Sequence, residues 1–314
     1  MPDMTINLGQ IRVFEAVTRT GSFAQAAERL GVTPPAVSLQ IRQLEEAYGV
    51  RLFERLRKRV RLTSVGEELA PYAQRIVALA GDAERALEAT RSFAGGRLRI
   101  VASATAAAYY LPPLLTRVRQ RYPDIRVHLD VANSQRVRER IATLEGDVGV
   151  LGVETAHPDL VFERLAEDPL VVVVAPGHPW GRRRRVALAE LASQPLILRE
   201  PGSASRQLVE RRLHRVGARA DPSMEIASNE VIKRAVEMGN GVSLMSAAIV
   251  RREVDAGQLR ALTVSDDRLV RTIHLVYHRE RQDSPMIHAI RQVARSLRRE
   301  GRRAPREARR VRSG

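Results

Sequence analysis

From Ser64 to Ala94 the residues Leu69, Tyr72, Ile76, Leu79, Ala83, Ala86 and Thr90 recur at alternating steps of three and four. That spacing places them on one stripe of a single long helix. At 1.5 Å per residue, a helix of some 30 residues extends about 45 Å. A seam of that length calls for another helix, so it predicts a dimer; the alternative is packing on its own domain. Pro71 should bend the helix or delay its regular start, and Ser64 with Glu67 fits a capping box. Gly95-Gly96 follows as a hinge. The long helix divides the chain into short helices before it and alternating strands and helices after it.

Residues 5–48 read as three short helices. Leu8, Ile11, Phe14 and Val17 mark the first, which ends at Gly21. Ser22 with Gln25 forms a capping box for the second, and Gly31 suits its C-terminus. Thr33 can cap the third, with Pro34 at its first position. There Val37, Ile41, Leu44 and Tyr48 form a buried face, opposite Pro35, Leu39, Arg42 and Glu46 with Ser38 beside them. Helix, tight turn, then a helix with a polar outer face is a helix-turn-helix. Residues 50–62 read as a hairpin or wing with Arg57-Lys58-Arg59 at its tip, placed for phosphates or a minor groove.

After the hinge, strands at Leu98–Ala102, Ile125–Val131 and Asp147–Leu151 alternate with helices at Pro112–Arg121 and Ser134–Leu144. A second set begins at Pro169: strands at Leu170–Ala175, Leu196–Leu198, Met224–Ala227 and Val242–Met245, with helices over 203–216 and 229–239. Arg271–Tyr277 and a helix over 285–299 return to the first set. The alternation predicts two α/β lobes with parallel sheets and a ligand cleft at the carboxyl ends of the strands. The expected domains are 1–63 (winged helix-turn-helix), 64–94 (linker helix), 97–168 with 268–299 (lobe 1), and 169–267 (lobe 2). Residues 300–314 are expected to be a disordered basic tail.

The net charge is +16, and residues 291–314 carry ten arginines against two glutamates. Such a balance favours polyanionic partners without choosing among them. Cysteine is absent, which removes disulfides, thiol catalysis and cysteine–zinc sites. No apolar run is long enough for a membrane span, and no export signal opens the chain, so the cytoplasm is the expected compartment. The seven histidines are scattered. Gly239-Asn240-Gly241 lacks the third glycine of a dinucleotide fingerprint, and Ser203 and Ser205 stand in no nucleophile elbow. Catalysis, a metal and a cofactor are therefore not expected.

The ordered set Phe14-Glu15-Ala16-Val17, Gly21-Ser22-Phe23, Ala26 to Leu30, Pro35-Ala36-Val37-Ser38, Ile41 to Glu45, Leu52 to Arg55 and Leu62 to Gly66 resembles the LysR-type transcriptional regulators. So do Arg199 to Ser203, Ser228-Asn229-Glu230 and Gly239 to Ser243; the similarity covers residues 7–296. It implies a bacterial winged helix-turn-helix protein, a linker-helix homodimer, and a two-lobed effector domain like a periplasmic binding protein. It also implies a homotetramer that binds double-stranded promoter DNA, works with RNA polymerase and responds to a small co-inducer. Calvin-cycle and sulfur- or nitrogen-metabolism regulators look nearest. Where Calvin-cycle members have Asn-Tyr-Phe after the first effector-domain strand, this chain has Ala104-Thr105-Ala106-Ala107-Ala108-Tyr109-Tyr110. Rival readings are a solute-binding protein, opposed by residues 5–62, and nonspecific nucleic-acid binding through the arginine tail.

The DNA-facing candidates are Ser22, Thr33, Pro34, Pro35, Ser38, Leu39, Arg42, Arg57, Lys58 and Arg59. Arg42 suits either a bidentate guanine contact or a phosphate. Ser22 is a phosphate ligand or only a cap. Leu39 departs from the family's usual arginine and could pack on a thymine methyl. For the cleft the candidates are Ser103, Thr105, Asn133 and Ser134 from lobe 1, and Arg199, Ser203 and Asn229 from lobe 2. Helix N-termini and hydroxyls favour a small anion, while Arg199 suits an anionic effector or a neighbouring carboxylate.

Overall fold

The computed structural model describes residues 6–56, 59–91, 96–152 and 157–310. The chain divides into two compact units, Met1–Ala94 and, without the turn Thr143–Glu145, Gly95–Gly314. No helix among the described residues is long and apolar enough to cross a membrane.

The first unit contains α1 (Leu8–Thr20), α2 (Phe23–Leu30), α3 (Pro34–Tyr48), the hairpin β1 (Phe53–Leu56) and β2 (Arg59–Leu62), and α4 (Ser64–Arg91). Phe14, Val17, Ala26, Ala27, Val37, Ile41 and Leu44 make one core. The alanines of α2 permit the close helix approach that their size predicts. Leu69, Ala70, Ala73, Ile76 and Val77 of α4 join this core, whereas Tyr72 and Leu79 stand 59% and 48% exposed. The α4 stripe thus divides, part of it lying on its own domain and part facing outward.

Two expected caps differ in detail. Thr33 is the N-cap of α3 but makes no side-chain cap bond. At α4 the cap is Thr63 rather than Ser64: Thr63 Oγ1 accepts from Gly66 N at 3.1 Å and donates to Arg51 O at 2.6 Å. This draws the first turn of α4 down on the chain before β1. A Cβ on Gly66 would lie 2.2 Å from the carbonyl oxygen of Leu52, so only glycine fits that crossing.

The second unit begins with β3 (Arg97–Ser103), α5 (Leu111–Arg121), β4 (Arg126–Ala132), α6 (Ser134–Ala142) and β5 (Val148–Gly152). Then come β6 (Leu160–Val174), β7 (Arg185–Val186), β8 (Leu196–Leu198), α7 (Ala204–Arg215), β9 (Pro222–Glu225), α8 (Asn229–Glu237) and β10 (Ser243–Ser246). The last elements are α9 (Ala247–Asp255), β11 (Arg260–Val264), β12 (Val270–His278) and α10 (Pro285–Arg310).

The main sheet runs β4-β3-β5-β12-β6-β11-β7, with β10 also paired to β6. β3, β4 and β5 are parallel, but β12 is antiparallel to both β5 and β6, and β10 and β11 are antiparallel to β6. The lobes are therefore mixed rather than parallel, because the chain passes between them on strands instead of on helical crossovers. β6 is one strand from Leu160 to Val174, although lobe 2 was expected to open at Pro169. Pro169 marks the change of partner: β6 pairs with β12 up to Pro169 and with β10 from Leu170. A residue without an N–H is tolerated where one ladder ends and another begins.

Lobe 1 packs Ile100, Leu114, Val118, Ile273, Leu275, Ile287 and Ile290 together, so β12 and α10 contribute to one core with β3 and α5. Lobe 2 packs Val172, Leu198, Leu208, Leu213, Val242 and Leu262. Two further differences concern helices. The helix expected at Pro112 begins at Ala104 and passes through a π turn, Ala106–Tyr110, into α5. Pro112 and Pro113 cannot donate to the preceding turn, and the wider π register accommodates them. α10 continues to Arg310, where the sequence points to a disordered tail from 300; its arginines, alanines and glutamates favour helix, against Gly301 and Pro305.

Gly66→Ala should destabilise the first unit by about 1–3 kcal/mol or more through overpacking. Urea denaturation followed by far-UV circular dichroism reads this, and an unchanged midpoint would show that α4 can move off Leu52.

Candidate DNA interface and effector cleft

In the first unit, α2 and α3 are joined through Gly31, with φ 68°, and Val32, whose amide donates to Ala27 O at 3.0 Å. Ser22 is the N-cap of α2, and its Oγ accepts from Gln25 N at 3.4 Å. Thr33, Pro34, Pro35 and Arg42 are exposed, Leu39 is half exposed, and Ser38 is partly covered. These residues form the outer face of α3 that the spacing predicts, opposite buried Val37, Ile41 and Leu44. Arg42 donates from Nε to Ser38 O at 3.4 Å. Arg57 and Lys58 lie outside the described residues, and only the backbone of Arg59 is described, opening β2.

Glu45 was not singled out by sequence, where it reads as one more charge in a helix. It is 7% exposed and accepts from Leu52 N at 2.8 Å, Phe53 N at 3.4 Å and Arg51 Nη1 at 3.2 Å. A carboxylate satisfying two amides fixes where the wing leaves α3. Its place beneath the buried stripe, four residues after Ile41, is the signal that could have found it.

In the second unit, the carboxyl ends of β3, β4 and β5 share an edge: Ser103 pairs with Ala132, and Ala102 with Val150. Ser103, Thr105 and Ser134 are all buried at this edge, and none of their hydroxyls has a hydrogen-bond partner among the described residues. Asn133 caps α6, accepting from Arg136 N at 2.9 Å, and its Nδ2 donates to Pro201 O at 3.3 Å. Gln135 N donates to Gly202 O at 3.1 Å, so the start of α6 is latched to a lobe 2 loop. Gly202 has φ +85°, and a Cβ there would come within about 3 Å of Gln135 and Asn133.

Arg199 faces a carboxylate. Its Nε and Nη2 donate to Glu200 at 2.8 and 3.0 Å, and its Nη1 to Asn229 Oδ1 at 2.9 Å. Arg199 is thus committed to Glu200 and Asn229. The N-cap of α8 is Ser228 rather than Asn229. Ser203 is the N-cap of α7, but its hydroxyl meets Ser205 Oγ at 3.0 Å and caps no amide.

At the joint of the lobes Asp168 has no solvent exposure. Its Oδ1 accepts from Tyr110 Oη at 2.8 Å and Ser246 Oγ at 2.5 Å, and its Oδ2 from Arg271 Nε at 2.7 Å. Burial first, and then the Asp168 charge, push the Tyr110 hydroxyl well above its ordinary pKa, which keeps it a donor. Sequence reading missed this network because its members lie far apart along the chain.

Residues 8–67 match the model of the bacterial regulatory helix-turn-helix protein, lysR family, and residues 91–299 match the LysR substrate binding domain. The chain belongs to the LysR family of transcriptional regulators. As such it is a regulator, not an enzyme. A "RuBisCO operon transcriptional regulator" of Allochromatium vinosum is 36% identical over 92% of this chain and 95% of its own. Full-length OxyR from Pseudomonas aeruginosa shares the fold, with a TM-score of 0.71 at 23% identity, covering 93% of this chain and 95% of that one. The CcmR regulatory domain of Synechocystis in complex with 2-PG is 28% identical, with a TM-score of 0.59, covering 64% of this regulator and 97% of that domain. The solute-binding alternative falls with the first match, since a helix-turn-helix domain precedes the lobes.

Glu45→Ala should leave the amides of Leu52 and Phe53 without an acceptor and destabilise the DNA-binding unit by about 1–3 kcal/mol. Glu45→Gln should cost less, and denaturant midpoints separate the two. Equal midpoints for Ala and wild type would mean that the wing is held by other contacts.

Proposed function

We propose that this regulator binds a promoter through the outer face of α3 and the wing, and that a small anion in the cleft between its lobes controls it. The observation that carries the effector reading is the row of unpartnered hydroxyls that the largely buried residues Ser103, Thr105 and Ser134 keep open to solvent at the carboxyl edge of the sheet. Ser203, at the start of α7, adds a helix N-terminus, where backbone amides favour negative charge. The 2-PG complex of the CcmR domain, at 28% identity, supports the same class of ligand. Arg199 and Asn229 shape this region while bonded to each other, and Asn133 latches it; none of the three needs to touch the effector.

On the DNA side, Arg42 reads a guanine or holds a phosphate, Leu39 packs on a thymine methyl, and Thr33, Pro34, Pro35 and Ser38 line the groove. Ser22, Arg57, Lys58 and Arg59 add phosphate contacts that carry affinity without sequence information. Dimers form through α4, whose Tyr72 and Leu79 remain exposed for a partner. Two dimers make a tetramer whose spacing changes when the effector stabilises the closed lobes, altering DNA bending and contact with RNA polymerase. The effector acts only through its differential affinity for the two states. The compartment is the cytoplasm, where promoter DNA is found.

The test is footprinting on the upstream intergenic region and on a RuBisCO operon promoter, the target that the Allochromatium relative's name suggests. It is run at two salt concentrations, with and without 2-PG or inorganic phosphate. A discrete protected site that changes with an anion is expected, and Arg42→Ala should weaken it by about tenfold or more. Uniform, salt-labile coating with no preferred site would overturn the specific-regulator reading and favour nonspecific binding.

A further inference from the structure

Arg271 is the second residue of β12, at the cleft edge of the lobe 1 sheet and two residues before Ile273, which pairs with Gly152 at the end of β5. Its side chain is nearly buried, at 4% exposure, and Asp168 occupies only its Nε. Nη1 and Nη2 have no hydrogen-bond partner among the described residues, yet neither is sealed from solvent. A guanidinium buried with both terminal nitrogens unsatisfied is costly unless something meets them.

What stands near those nitrogens is suited to an anion. A Cβ at Gly152 would lie 3.0 Å from Arg271 Cδ and 3.3 Å from Ala204 Cβ, so the side chain passes beside the first residue of α7. The Ser203 hydroxyl turns to Ser205 and leaves that helix start without a side-chain cap. Two further arginines of this region are already neutralised, Arg199 by Glu200 and Arg206 by Glu210 and Glu225. Arg271, nearly buried, keeps both terminal nitrogens of its fork open.

We propose that Arg271 grips the anionic group of the effector through Nη1 and Nη2, with Asp168 holding the guanidinium from behind and the N-terminus of α7 facing the same group. The fork calls for two oxygens on one centre, so the ligand class is a small carboxylate, phosphate or sulfate ester. Because Asp168 also accepts from Tyr110 and Ser246, it fixes the angle at which the fork faces the cleft. This assignment rests on the anionic-effector reading above and names the residue that holds the anion.

The experiment is calorimetric titration of the full-length protein with 2-PG, inorganic phosphate and sulfate. Wild type is compared with R271K, which keeps the partner of Asp168, and with the D168N/R271Q double variant, which removes both buried charges together. Circular dichroism and melting temperature establish that each variant is folded. R271K should bind the anion that wild type prefers about tenfold or more weakly, because a point charge replaces the fork. The double variant should bind none of the three. Wild-type affinity in folded R271K or in the double variant would overturn the role of Arg271 alone. Failure of wild type to bind any of the three would overturn the anionic reading, and this assignment with it.

Discussion

A carboxylate with no access to water sets the geometry of the effector-binding unit. Asp168 lies on β6 directly before the proline at which that strand leaves one lobe for the other, and it draws in donors from three further elements. Desolvating such a charge is expensive, and removing one partner of a buried pair costs about 3–5 kcal/mol. Arg271 from β12, Tyr110 from the π turn and Ser246 from the end of β10 must therefore be delivered together. The joint between the lobes is held in place by this requirement.

The DNA-binding unit uses a related device over a shorter stretch of chain. Glu45 is buried at the end of α3 and takes the amides of Leu52 and Phe53, so recognition helix and wing share one fixed point. Thr63 then ties the start of α4 to the carbonyl of Arg51, and Gly66 lets the helix cross Leu52 without a clash. Helix, wing and linker helix are thereby registered to one another before any DNA is present. That is the condition for a rigid reading head.

Chemically, the cleft is a set of open donors on a closed frame. The arginine that sequence reading favoured, Arg199, is bonded to Glu200 and Asn229, and Asn133 serves as a cap and a latch. Both belong to the frame. Among the described residues, the hydroxyls of Ser103, Thr105 and Ser134 and the terminal nitrogens of Arg271 have no partner. Strand register explains why the hydroxyls meet, since parallel β3, β4 and β5 end on one edge, where the helix N-termini also point.

Local pattern alone determined a great deal here. The caps at Gly21, Ser22 and Gly31, the buried stripe of α3 and its exposed face could all be read directly, because helix period and end chemistry act within a few residues. The alternation of strands and helices gave two lobes, and the ordered motifs gave the family. Local pattern did not give the passage of β6 through Pro169, the mixed strand directions, the π turn before α5 or the helical continuation past residue 299. Nor did it show that Arg199 is neutralised while Arg271 is open, or that Glu45 and Asp168 are buried. Those are decided by which distant groups meet, and a charge reads the same in sequence whether water or a buried partner solvates it.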